Sequence, residues 1–256
     1  MSSPWLSRFA PRPAAALRLF CFSYAGGGAA IFRPWALALP ADVEVAAVLL
    51  PGREHRLRER PLDSMAALLQ ALLPALVPEF DRPFAFFGHS MGALVAFEAA
   101  RALQGRGERA PARLLLSGRR APHLPELETP IHGLGDDEFV AEIDRRYGGI
   151  PPDVMQHRDV LELLMPALRA DMALIETHRH DGGARFAGPI TVFGGEADQR
   201  APLPQLQAWQ QHTHRPLRLR QYAGGHFYFN QPPARERLLT DVAAELRALD
   251  TGLARA

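Results

Sequence analysis

Phe84-Ala85-Phe86-Phe87-Gly88-His89-Ser90-Met91-Gly92-Ala93-Leu94-Val95-Ala96-Phe97-Glu98-Ala99-Ala100 is the stretch on which the fold turns. Its first four residues are apolar and strand-like. The residues after Gly92 are helix formers. Between them Gly88-His89-Ser90-Met91-Gly92 matches G-x-S-x-G, and strand, sharp turn and helix together make the setting of a nucleophile elbow. The glycines let the chain reverse without Cβ clashes. The turn lifts the Ser90 hydroxyl off the end of the strand, and the first N–H groups of the helix face developing negative charge. A lone G-x-S-x-G is often a simple Gly-Ser turn, so the flanking strand and helix carry the reading.

Outward from this stretch, short apolar runs alternate with longer helical patterns. Leu17–Phe22 and residues 43–50, 84–87, 113–117, 190–193 and 217–222 read as strands. Nearly continuous apolar strands suit a parallel sheet covered on both faces. Leu62, Met65, Leu69, Leu72 and Leu76 recur at helical spacing, as do Leu238, Val242, Leu246 and Leu249. The alternation predicts an α/β fold with a mostly parallel central sheet and helices on both faces.

From about residue 129 to about 181 the alternation stops. Phe139, Val140, Ile143 and Tyr147 form one helical face; Leu161, Leu164, Leu168, Met172 and Ile175 form another, with Pro166 expected to start or kink a helix. The segment reads as a helical lid inserted in a single domain spanning 1–256. Ordinary crossover helices are the alternative, but a crossover usually needs only one.

Composition narrows the function classes. The 256 residues are 47% hydrophobic and 22% charged, which supports one sizeable core and argues against global disorder. With 29 basic against 28 acidic residues the net charge is +1, so no broad basic field for nucleic acid is present. Every basic residue is arginine, which removes a Schiff-base lysine, a P-loop lysine and a Ser-Lys dyad. The one cysteine, Cys21, allows neither an intrachain disulfide nor a Cys-based zinc site. No apolar run approaches a membrane span. Arg8, Pro11, Arg12 and Pro13 break up the N-terminus, which lacks a clear signal peptide. A soluble, cytoplasmic monomer is expected.

A serine hydroxyl needs a base to become a nucleophile. Of 10 histidines, His55, His123, His157, His212 and His214 read as surface residues, and His89 as elbow packing. His226, in Ala223-Gly224-Gly225-His226-Phe227 just past the last strand, fits the chain order Ser, acid, His. The acid belongs after a late strand, and Gly194-Gly195-Glu196-Ala197-Asp198 follows residues 190–193. Asp198 is the choice and Glu196 the rival. The oxyanion donors are placed at the N–H of Met91 and, in the loop Ser23-Tyr24-Ala25-Gly26-Gly27-Gly28, at Ala25. A phosphate-cradling role for that loop fits poorly, because neither a G-K-S/T nor a clean G-x-G-x-x-G accompanies it.

Taken with Leu50-Pro51-Gly52-Arg53-Glu54 and Leu168-Arg169-Ala170-Asp171, these motifs resemble the stand-alone type II thioesterases that accompany nonribosomal peptide and polyketide synthases, members of the α/β-hydrolase superfamily. The resemblance runs from about Leu17 to Leu249. It implies a Ser90-Asp198-His226 triad, an oxyanion hole at Ala25 and Met91, a flexible helical lid, and no metal or organic cofactor. It further implies hydrolysis of acyl groups from the phosphopantetheine thiol of acyl- or peptidyl-carrier proteins, clearing stalled or misprimed synthases. Ser23 departs from the proline found in many relatives, which would loosen the oxyanion loop. Pro51-Gly52-Arg53-Glu54 reads equally well as a turn with a structural Arg-Glu pair and as a substrate contact. Rival functions are a general carboxylesterase, a chain-terminating fatty acyl thioesterase, and a carrier-binding module on an inactive hydrolase fold.

Overall fold

The computed structural model describes residues 3–126, 128–148 and 156–253. Its strands are β1 (Leu6–Ser7), β2 (Leu17–Phe22), β3 (Val43–Val48), β4 (Phe84–His89), β5 (Leu114–Ser117), β6 (Ile190–Gly195) and β7 (Arg218–Tyr222). The helices are α1 (Arg33–Ala38), α2 (Met65–Leu76), α3 (Met91–Gly105), α4 (Asp136–Tyr147), α5 (Arg158–Thr177), α6 (Leu203–Gln207) and α7 (Pro232–Leu253). The strands form one sheet in the order β1-β3-β2-β4-β5-β6-β7. All neighbouring strands pair in parallel except β1, which pairs antiparallel with β3. This two-residue edge strand is too short to leave a periodic signal in the sequence.

The sheet is buried on both faces, and the period-2 alternation of each strand divides the core. Phe20, Phe22, Phe84 and Phe86 pack with α2 and α3 on one side. Leu19, Cys21, Ala85 and Phe87 pack with α1 and α7 on the other. The result is an α/β-hydrolase architecture. Residues 43–50 were expected to be a strand throughout; β3 ends at Val48. Ser64 caps α2 by accepting the Ala67 N–H at 3.4 Å.

Between β5 and β6 the described residues form α4 and α5 and no ladder strand, Phe186 making only an isolated bridge with Thr213. Residues 149–155 of the expected insertion lie outside the described residues. Pro166 neither starts nor ends α5, which continues through it. The missing N–H removes one backbone bond, and buried Met165, Ala167 and Met172 on either side hold the helix to the body.

Topology sets where the site must lie. β3 sits on one side of β2 and β4 on the other, so the sheet reverses its direction of growth between β2 and β4. The loops leaving those two strands part there and open a crevice at the carboxyl edge. Phe22, at the end of β2, pairs with Gly88 near the end of β4.

Candidate active site

Ser90 stands between β4 and α3 with φ 54 and ψ −114, a backbone region that non-glycine residues rarely occupy. The surrounding chain enforces it. A Cβ on Gly88 would overlap the Gly92 carbonyl, and one on Gly92 would overlap the carbonyls of Phe22 and Ser23. Close approach, rather than an unusual backbone angle, demands glycine at both places. The Ser90 N–H is bonded to Ser117 O at 2.8 Å, which fixes the turn to β5. Ser90 is 6% exposed, at the floor of a cavity.

His226 Nε2 lies 3.0 Å from Ser90 Oγ, and His226 Nδ1 lies 2.9 Å from Asp198 Oδ2. Three chain segments meet here: the elbow after β4, the loop after β6 and the loop after β7. A carboxylate only accepts, so Nδ1 carries the proton and Nε2 turns its lone pair towards the serine hydroxyl. Asp198 is fixed in turn, its Oδ1 accepting the Arg200 N–H at 2.9 Å. The rival Glu196 side chain points to solvent.

Behind this row lies a second one. His89 Nδ1 is 2.9 Å from Ser117 Oγ, which is 2.8 Å from the Tyr228 hydroxyl. The chain links the elbow, β5 and the turn after His226. Burial, and then the His226 ring 5.0 Å away, hold His89 well below the ordinary imidazole pKa. His89 stays neutral and packs the elbow, leaving His226 as the imidazole that faces the hydroxyl.

The Met91 N–H belongs to the first turn of α3, where no carbonyl within the helix can accept it. Ala25 lines the same cavity as Ser90. Its loop is tied at several points. Ser23 Oγ donates to Gly27 O at 2.8 Å, so the hydroxyl braces the loop that proline's absence was expected to loosen. The Gly26 N–H donates to Asp171 Oδ2 at 2.7 Å. The Arg53-Glu54 pair, one of the two readings of that segment, is not formed. Arg53 forks onto Asp171, with Nη1–Oδ2 and Nη2–Oδ1 both 2.8 Å, while Glu54 accepts the Ala30 N–H at 2.9 Å. Arg53 is buried and a bidentate guanidinium–carboxylate pair suits that environment better than a flexible turn pair.

The cavity above Ser90 and His226 measures about 310 Å³. Leu161, Leu164, Met165, Leu168, Met172 and Ile175 of α5 form one wall, Ile143 and Tyr147 of α4 another, and the Tyr24–Gly28 loop closes it. A smaller recess of about 30 Å³ also reaches Ser90 and His226 and is lined by Arg119, Arg120, Arg146 and Arg200 with Glu126, Glu128 and Glu176. Among the described residues no group of three or more His, Cys, Asp or Glu side chains is placed to hold a metal ion.

Residues 17–246 match the family model described as "Thioesterase domain". The chain belongs to that family. This thioesterase is 38% identical over 224 residues to the gramicidin S biosynthesis protein GrsT of Aneurinibacillus migulanus, covering 88% of this chain and 87% of that protein. It is 41% identical over 230 residues to thioesterase PikA5 of Streptomyces venezuelae, covering 90% and 81%. The solved structure of the type II thioesterase BorB from the borrelidin biosynthetic cluster superposes with a TM-score of 0.85 at 36% identity, covering 94% of this chain and 97% of that one.

Two features of the thioesterase escaped the sequence. Arg53 and Asp171, 118 positions apart, were visible only as motif members. The available signal was a carboxylate set between Leu168 and Met172 on an otherwise apolar helical face. His212, expected at the surface, is 5% exposed and stacked edge-on against Phe97 and Trp209. Among the described residues no helix is long and apolar enough to cross a membrane.

Proposed function

We propose that this thioesterase hydrolyses acyl groups from the phosphopantetheine thiol of carrier proteins in nonribosomal peptide or polyketide assembly, in the manner of a stand-alone editing enzyme. The carrying observation is the unbroken row from Asp198 through His226 to Ser90 at the floor of an apolar cavity. His226 takes the Ser90 proton as Oγ attacks the thioester carbonyl. The N–H groups of Ala25 and Met91 receive the oxyanion, and Asp198 stabilises the imidazolium. His226 returns the proton to the departing thiol, leaving acyl-Ser90, and then activates the water that releases the acid. Protein groups alone carry these steps, without a metal or organic cofactor.

The cavity suits an acyl chain, since its walls are mostly apolar and Ser90 and His226 meet at its floor. In this reading α4 and α5 are the lid, and the pantetheine arm enters beneath them. Tethering α5 to the body should then slow turnover of carrier-bound substrate; unchanged kinetics would remove the lid.

The test is a side-by-side assay of propionyl-loaded carrier protein, propionyl-CoA and a nitrophenyl ester, with the wild type and Ser90→Ala. Faster turnover of the carrier thioester, absent in the mutant, is expected. A preference for the free ester would move the function to a general esterase. Strong discrimination for long chains would move it to chain termination.

A further inference from the structure

The polar core of the site continues upward from the oxyanion loop into the cavity roof. Asp171 lies on α5, the helix whose apolar side chains line the cavity, and is 1% exposed. One oxygen accepts both the Gly26 N–H at 2.7 Å and Arg53 Nη1 at 2.8 Å; the other accepts Arg53 Nη2 at 2.8 Å. Arg53 also reaches the far side of the loop, donating to Gly27 O at 3.1 Å. One turn before Asp171, Leu168 Cδ1 sits 3.1 Å from where a side chain on Gly26 would begin. The first and third peptide groups after Ala25 are therefore held by a carboxylate and a guanidinium, with a leucine against Gly26 between them.

We propose that Asp171 and Arg53 are positioning residues that aim the Ala25 N–H at the oxyanion. The inference rests on the hydrolytic reading of Ser90 given above. The physical case is that the loop's own bonds, Gly27 N–H to Tyr24 O at 2.9 Å and Ser23 Oγ to Gly27 O at 2.8 Å, close the turn on itself, while Asp171 and Arg53 fix where the closed turn sits over Ser90. An oxyanion donor acts only when its direction is set before the charge appears. The Gly26 N–H is committed to Asp171, so the peptide plane between Ala25 and Gly26 is anchored one bond from the donor. Neither side chain lines the cavity that holds Ser90, so their effect passes through the loop.

Removing one partner of a buried ion pair strands the other charge and destabilises the fold, so activity loss alone would not separate positioning from support. The experiment uses Asp171→Asn, Asp171→Ala and the double variant Arg53→Met/Asp171→Leu. Each is assayed on propionyl-loaded carrier protein and a nitrophenyl ester, with the melting temperature recorded. In Asp171→Ala, kcat should fall by about 10- to 100-fold on both substrates, less than deleting an oxyanion donor, with KM within about threefold of wild type. Asp171→Asn should lose less, because its amide oxygen still accepts the Gly26 N–H. The double variant strands no charge and should regain melting temperature, but kcat should stay low.

Recovery of kcat together with stability in the double variant overturns the proposal, as does a loss confined to KM or wild-type kcat in Asp171→Ala. If the wild type cleaves the ester but not the carrier thioester, the substrate reading fails and the ester series still decides the role of Asp171 and Arg53. A wild type inert to both substrates overturns both.

Discussion

The floor and the roof of this site are built on different physical terms. The floor is the elbow, the ends of β2, β5 and β6, and α3, whose residues from Met91 to Ala100 are all buried. It holds Ser90 at a positive φ because its glycines leave no room for another course. The roof is α5, and it changes along its length. At the inner end Asp171 is locked to Arg53, and Glu176 accepts the backbone N–H groups of Ile131 and His132 at 2.9 to 3.0 Å. At the outer end Val160, Leu163 and Leu164 are 37%, 53% and 36% exposed, and Arg158–Glu162 is a surface pair at 3.2 Å. The Ser90 floor is therefore fixed by the sheet, while the cavity wall tightens only as α5 approaches it.

The floor is broken most completely at Ser90, its proposed nucleophile. Ser90→Ala should cut hydrolysis by about a million-fold, the loss seen when a triad loses its serine. Residual burst labelling by a fluorophosphonate in that mutant would contradict the assignment. Asp198→Asn should leave the fold intact and lower kcat by about ten-thousand-fold, because the wrong tautomer faces Ser90. Glu196→Gln should be near wild type, since its side chain lies in solvent. The reverse order would make Glu196 the orienting acid.

Floor and roof also differed in how well the sequence disclosed them. The elbow is local: strand, turn and helix are contiguous, and the glycine spacing is a direct record of the steric demand. The boundaries of β2 match the apolar run Leu17–Phe22 residue for residue. Ser90, Asp198 and His226 lie far apart in the chain but each follows a legible strand, so a known chain order could join them. Nothing comparable marked Arg53 and Asp171 as partners, because a long-range ion pair leaves no periodicity. The Arg53–Glu54 pair failed for the opposite reason: adjacency suggested it, but Arg53 is committed to Asp171 and Glu54 to the Ala30 N–H. Pro166 does not start a helix, because a helix propensity is a local preference and burial on both sides of the proline keeps α5 continuous through it.

Stability should show the same division at smaller scale. Phe86→Ala, in the floor beneath the elbow and packed edge-on to Phe20 and Phe22, should cost about 3–5 kcal/mol. Leu163→Ala, at the outer end of α5, should change stability far less, by about 1 kcal/mol or less, because about half of its surface stays in water. Denaturant unfolding of the two variants measures both. Comparable losses would mean that the outer end of α5 is packed as firmly as the sheet.

The finest test is hydrogen exchange along α5 itself. Local opening follows buried contact and buried hydrogen bonding, so segments with few of either open at low free energy. Residues 158–164 have one buried neighbour in sequence, Met165, and present three large apolar side chains partly to water. Residues 171–176 include five buried side chains, two of them carboxylates bonded to backbone N–H groups of other segments. Amides in the first stretch should exchange faster than those in the second, and both faster than those of α3. Asp171→Asn should raise exchange in the second stretch while leaving the first unchanged. Uniform protection along α5 would mean the helix moves as one rigid piece, and a lid motion would then need a hinge at its ends.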